Sequence, residues 1–170
     1  MDALHDLAPI SDRYAHLPVA TAFDWSAAAT ALGRGEWYLV AFRSVRRVEA
    51  DEERLWAFDD LAHREAAGAP GFVHYFRGPA AFDGSCLSFC LWVSRAAARA
   101  AAGLPAHVAA VSLIREMYES YTLEFLRVRG GNAGEPLTFE PYDSPASLLA
   151  PPATDPAPML SLINPAAAPA

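Results

Sequence analysis

The side chains best suited to chemistry are His74 and His107, with Arg43, Tyr75, Trp92 and Tyr118 as groups that could hold a ring or an anion. His74 alternates with Phe72 and Phe76, so a strand there would set the imidazole among apolar neighbours. Desolvation of that kind shifts the pKa of a histidine and suits it to act as a general base. The same placement also suits a core histidine bonded to a backbone carbonyl, or one at a subunit interface. His107 follows Pro105 in the first turn of a helix, either on the surface or at the mouth of a cavity. Trp92, Tyr75, Tyr118 and Tyr121 each combine an apolar body with a polar tip, which serves either ring binding or core packing. Arg43 lies within an apolar strand face, and a buried guanidinium needs a partner. Glu124 on a neighbouring strand is one, and a ligand anion is the other. His63 stands one turn after Asp59 and Asp60, and side-chain pairing along the helix accounts for it.

Several chemistries are excluded by residue type. All 13 basic residues are arginine, so there is no lysine for a Schiff base or for a phosphate-binding loop. No serine or cysteine sits in a nucleophile elbow, and no GxGxxG follows a strand. The acidic pairs Asp59-Asp60 and Glu52-Glu53 read as solvated helix faces. Cys86 and Cys90 lie on one face of one strand, too far apart for an unstrained disulfide and without the further ligands of a metal site. They read as buried free thiols, which suits a reducing cytoplasm. A net charge of −7 argues against a nucleic-acid or anionic-membrane surface. No run reaches ~18 apolar residues, the length of a membrane span. The acidic N-terminus lacks the basic stretch of a secretory signal, so a cytoplasmic protein is expected.

These residues need elements to hold them. The 170 residues suit one domain of roughly 100 residues with extensions at both ends. Residues 1–35 read as an N-terminal extension with a short helix over 24–32, capped by Asp24 and stopped by Gly33. The aromatic and β-branched run 37–45 reads as a strand with both faces apolar. A helix follows over 51–67, with Leu55, Phe58, Leu61 and Ala62 as its buried stripe. Strands at 72–77 and 86–93 are joined by a hairpin ending at Asp83-Gly84. A bipartite helix runs over 94–102 and 105–121, with Val108, Val111, Ile114, Met117 and Tyr118 inward. A last strand, 122–129, stops at Gly130-Gly131. Residues 133–170 read as a Pro/Ala-rich C-terminal tail whose removal from 150 onward should leave the fold intact.

Strand, helix, strand, strand, helix, strand over residues 36–132 is the order of a ferredoxin-like α+β sandwich. Helices cover only one sheet face in that fold. An open apolar face on the other side would exceed what monomers usually expose. A homodimer formed by two such faces is therefore expected, unless residues 1–35 or 133–170 fold over it.

The run Cys86-Leu-Ser-Phe-Cys-Leu-Trp-Val-Ser94, an alanine-rich turn and Leu104-Pro105-Ala106-His107 together resemble a segment of dimeric α+β barrel proteins of the antibiotic-biosynthesis-monooxygenase type. Pro70-Gly71-Phe72 resembles the opening of their second strand. The resemblance spans about residues 36–130 and rests on fold markers. It implies a dimeric α+β barrel that binds a small hydrophobic or aromatic ligand. It further implies a cofactor-independent monooxygenase of an aromatic or polyketide-like substrate, an oxidoreductase with no cofactor. His74 would then be the first choice of base and His107 the second. Trp92, Tyr75 and Tyr118 would contact the ring, and Arg43 would counter a phenolate. The heme-degrading branch of the family departs from this chain, because its expected histidine, tryptophan and asparagine fall at Val111, at Ala101 and near Phe42 or Arg43. A dimeric binding module without catalysis and a heme-binding protein using His107 are the alternative readings.

Overall fold

The computed structural model describes residues 3–132 and 134–149. A 3-10 turn at Tyr14–His16 leads to helices α1 (Val19–Ala22) and α2 (Ser26–Leu32) and then to strand β1 (Gly35–Arg46). Next come α3 (Glu52–Ala67), β2 (Phe72–Phe76), β3 (Ser85–Trp92), α4 (Arg95–Ala102), α5 (Pro105–Ser112), α6 (Ile114–Met117), β4 (Tyr118–Gly130) and β5 (Thr138–Leu149). The sheet has five strands in the order β2-β3-β1-β4-β5. Every pair is antiparallel. The first four strands have the order expected of a ferredoxin-like α+β sandwich, and β5 extends the sheet beyond β4.

Local signals explain much of this. Asp51 caps α3 by accepting the Arg54 N–H at 2.9 Å, and Glu52 and Glu53 occupy the first turn, where the helix dipole favours them. Ser94 caps α4 by accepting the Ala97 N–H at 3.2 Å. Pro105 opens α5, and the adjacent Ala106 N–H is taken by the Glu65 carboxylate at 2.8 Å, which ties α5 to α3. Gly84 holds φ at 79° in the hairpin, where an added Cβ would lie 2.7 Å from the Arg46 carbonyl oxygen.

Both sheet faces are covered within the chain. On one face Leu39, Ala41, Leu87, Phe89, Leu91 and Val128 pack against Leu4, Leu7, Tyr14, Val19, Phe23 and Trp25. Residues 3–32 are thus half of the main core rather than an appended extension. Phe23 meets Phe76 and Phe89 edge-on, with ring centroids 4.9 and 5.5 Å away. Full burial of such a side chain contributes roughly 1.5–3 kcal/mol. The face expected to be bare is the one these residues cover, so the argument for pairing two open sheet faces loses its premise. On the opposite face Tyr38 and Trp92 pack with Ala98 and Ala101, and Leu55, Leu113 and Met117 form a neighbouring cluster.

Other expectations change in detail. Within the expected tail, residues 138–149 are strand β5, paired with β4. The expectation for 150–170 lies outside the described residues. The helix expected to reach residue 121 ends at Met117, and β4 begins at Tyr118. Asp24 does not serve as the cap residue of α2: Trp25 holds that place, and the Asp24 carboxylate accepts the Ser26 N–H at 3.0 Å. Leu61 and Val108 are half exposed rather than buried, since α3 and α5 present those positions outward. Among the described residues no single helix is long and apolar enough to cross a membrane.

Candidate functional site

The helix-covered face of the sheet encloses a cavity of about 250 Å³. Its floor is aromatic and thiol-bearing: Tyr38 and Phe42 from β1, Tyr75 from β2, Cys90 and Trp92 from β3, Tyr121 and Phe125 from β4. Its roof is small. Ala62 and Ala66 of α3, Ala98, Ala101 and Ala102 of α4 and Ala110 of α5 line it. Leu55, Phe58, Leu113 and Ile114 line it too, and where the roof is alanine its methyl groups leave space above the aromatic floor unfilled.

Polar groups are few and ordered. The Tyr75 hydroxyl donates to Asp59 Oδ1 at 2.7 Å, and Arg77 Nε donates to Asp59 Oδ2 at 2.5 Å. Arg77 also donates to Asp60. The His63 ring lies 4.9 Å from the Tyr75 ring and 6.0 Å from Phe72. Tyr118 and Tyr121 meet edge-on at 5.1 Å. Burial pushes the phenols up: Tyr118 to about 12, Tyr75 and Tyr121 well above their usual 10, with the Asp59 charge adding to each. Burial and Asp59 raise the Cys90 thiol as well. His107 goes the other way. Burial lowers its pKa below 6.5, and the nearby Glu65 only partly offsets that. At neutral pH the cavity therefore holds uncharged phenols and thiols and an uncharged imidazole.

His107, Tyr75, Trp92 and Tyr118 all line the cavity. His74 and Arg43 do not. His74 is buried on the opposite face, its ring 5.4 Å from His5 and 6.1 Å from Phe89. Tyr75 faces the helices, so strand alternation turns its neighbours His74 and Phe76 to the other side, and the register shift between Phe72 and His74 sets Phe72 apart from them. Phe72 and Tyr75 face the helices, and His74 faces residues 3–32. The expectation that His74 is the first base is corrected accordingly. Arg43 also points to the N-terminal side. Its guanidinium donates to Glu124 at 2.6 and 3.3 Å, to the Leu17 carbonyl at 3.1 Å and to the Ala15 carbonyl. Of the partners foreseen for it, Glu124 is the one present, and Arg43 clamps the N-terminal segment to the sheet.

Asp59 and His63 are the cavity groups that sequence reasoning assigned to a solvated face and to a local pair. Helical phase held the signal. Asp59 and His63 follow Leu55 at steps of four and flank Ala62 and Ala66, so they share the inward stripe of α3.

A family model described as PB2B2.08-like matches residues 1–141. The UPF0643 protein PB2B2.08 of Schizosaccharomyces pombe is 30% identical over 131 residues, which is 67% of this chain and 60% of that protein. The chain thus spans about 60% of that relative's length. Among solved structures, the cofactor-independent oxygenase SnoaB of Streptomyces nogalater is similar at a TM-score of 0.42 and 19% identity, covering 55% of this chain and 90% of that one. Rv0793 of Mycobacterium tuberculosis is similar at 0.44 and 19%, covering 64% and 97%. A Nitrosomonas europaea protein described provisionally as an antibiotic biosynthesis monooxygenase is similar at 0.44 and 12%, covering 63% and 97%. These include the type that the Cys86–His107 run resembles. At such scores the likeness says nothing of activity, and the fold assignment stands on the strand order itself.

Proposed function

The chain belongs to the PB2B2.08-like family, and the chemistry open to this member is set by its cavity: we propose that it binds a compact aromatic molecule there and oxygenates it without a cofactor. One observation carries the reading. An aromatic-floored apolar cavity of about 250 Å³ is lined by His107, whose imidazole is uncharged at neutral pH. That volume lies just under the ~300–1,000 Å³ of drug-sized sites, so it suits a compact ring system.

The residues divide the work. Trp92, Tyr38 and Phe125 offer flat surfaces to a ring. His107 takes a proton from a methylene made acidic by an adjoining phenol or carbonyl. Tyr118, held protonated by burial, is a hydrogen-bond donor for the oxyanion that develops. The resulting carbanion transfers an electron to dioxygen, and the radical pair recombines as a hydroperoxide. Loss of water then leaves a ketone: the CH2 carbon and O2 become C=O and H2O. The substrate supplies all four electrons, so no redox cofactor enters the balance.

The test is oxygen uptake by the full chain on a panel of anthrone-like phenols, with product analysis. Uptake matched one-to-one by ketone, and lost in His107→Gln, is the expected result. Binding without uptake across the panel would leave a non-catalytic binding module. Neither binding nor uptake would overturn the reading.

A further inference from the structure

We infer that the ligand is an aromatic acid, with its ring in the cavity and its anionic group held at the mouth by Arg99; the inference rests on the cavity being a small-molecule site. Arg99 is the only arginine among the described residues that line the cavity. It sits on the shoulder of α4, beside the cavity-lining Ala98 and Ala102, with its side chain exposed.

The surrounding charges leave this guanidinium over. One helical turn earlier, Arg95 is paired with Asp143 of β5 at 2.6 Å. The Tyr38 hydroxyl donates to the same carboxylate at 3.0 Å. Asp143 is therefore occupied, although it still feels the Arg99 charge. Arg99 itself makes no ion pair among the described residues. At the far edge of the sheet, over β2, Asp59 is held by Tyr75 and Arg77 and raises the phenols and thiols around it. Asp59 thus disfavours a permanent anion at the end of the cavity over β2, and Arg99 favours one at the end by β5. A ligand with a ring at one end and a carboxylate at the other matches that polarity. A planar guanidinium presents the fork of donors that a carboxylate accepts.

The experiment compares 9-anthracenecarboxylate with its neutral amide by fluorescence titration of the full chain at low salt. Wild type is expected to bind the acid about fivefold more tightly than the amide, a preference that falls as salt rises. Arg99→Gln should abolish the preference and leave amide affinity unchanged. Arg99→Lys should keep part of it. Arg115→Gln, which removes an exposed charge elsewhere, should leave it intact. Equal affinity for acid and amide in wild type, or a preference that persists in Arg99→Gln, overturns the inference while the cavity reading stands. Binding of neither probe removes the cavity reading and the inference with it.

Discussion

His107 owes its place to its neighbours. Pro105 opens its helix, Glu65 takes the Ala106 N–H, and burial lowers its pKa. The sign follows directly: a base with a depressed pKa stays active further into acid. The acid limb of kcat/KM on an anthrone-like phenol should therefore have its midpoint below pH 6.5. A midpoint above 6.5 would remove His107 as the base. His74 belongs to the packing of residues 3–32 against the sheet. His74→Gln should cost about 1–3 kcal/mol in urea unfolding, because it disturbs a buried polar group, and should leave oxygen uptake as in wild type. Lost uptake in a folded His74→Gln variant would return that residue to the chemistry.

At the scale of elements, the N-terminal segment is held by Arg43 and by an aromatic cluster. Arg43→Ala strands the Glu124 carboxylate and the carbonyls of Ala15 and Leu17, all part-buried. The expected loss is about 2–3 kcal/mol, read as a lower denaturation midpoint at unchanged slope. A loss within about 0.5 kcal/mol, the ordinary range for surface changes, would show that the clamp is ornamental. The roof of the cavity makes a complementary prediction. Ala101 is buried and lines the cavity, so Ala101→Leu should fill it. Ring binding should weaken by about tenfold or more, roughly 1.4 kcal/mol, with the far-ultraviolet spectrum unchanged. Unaltered affinity would place the ligand elsewhere.

For the whole molecule, the half-buried phenols of the cavity govern behaviour in alkali. An unfolded chain loses its tyrosine protons near pH 10, whereas folded Tyr118 keeps its proton to about 12 and Tyr75 and Tyr121 hold theirs beyond the usual value. Folding then weakens as pH rises above 10, by about 1.4 kcal/mol per pH unit for each such tyrosine. Thermal unfolding followed from pH 9 to 11 should show a level Tm that then falls steeply. A flat profile would mean these hydroxyls reach solvent. The covered sheet face predicts an assembly effect as well. A chain lacking residues 1–32 should gain mass in light scattering, because Leu39, Phe89 and Leu91 lose their cover. A truncated chain whose mass per particle does not rise and that stays cooperatively folded would show that the segment is dispensable.

The sequence by itself determined what is local. The caps at Asp51 and Ser94, the break before Pro105 and the apolar character of both faces of β1 and β3 are written in neighbouring residues. So is the element order that makes the sandwich. The helix-side positions Tyr75, Trp92, Tyr118 and His107 were legible as candidates for the same reason. Tertiary structure decided what depends on distant partners. Residues 3–32 and a second copy of the chain were both adequate covers for the open face, and only packing selected the former. Packing decided which face of β2 meets the helices: Tyr75 took that face, so strand alternation put the predicted base His74 on the other. Asp59 looked solvated beside Asp60 until α3 was laid over β2 and Tyr75 reached it. Strand 138–149 was hidden by its prolines, which an edge strand tolerates because one side of its backbone needs no partner.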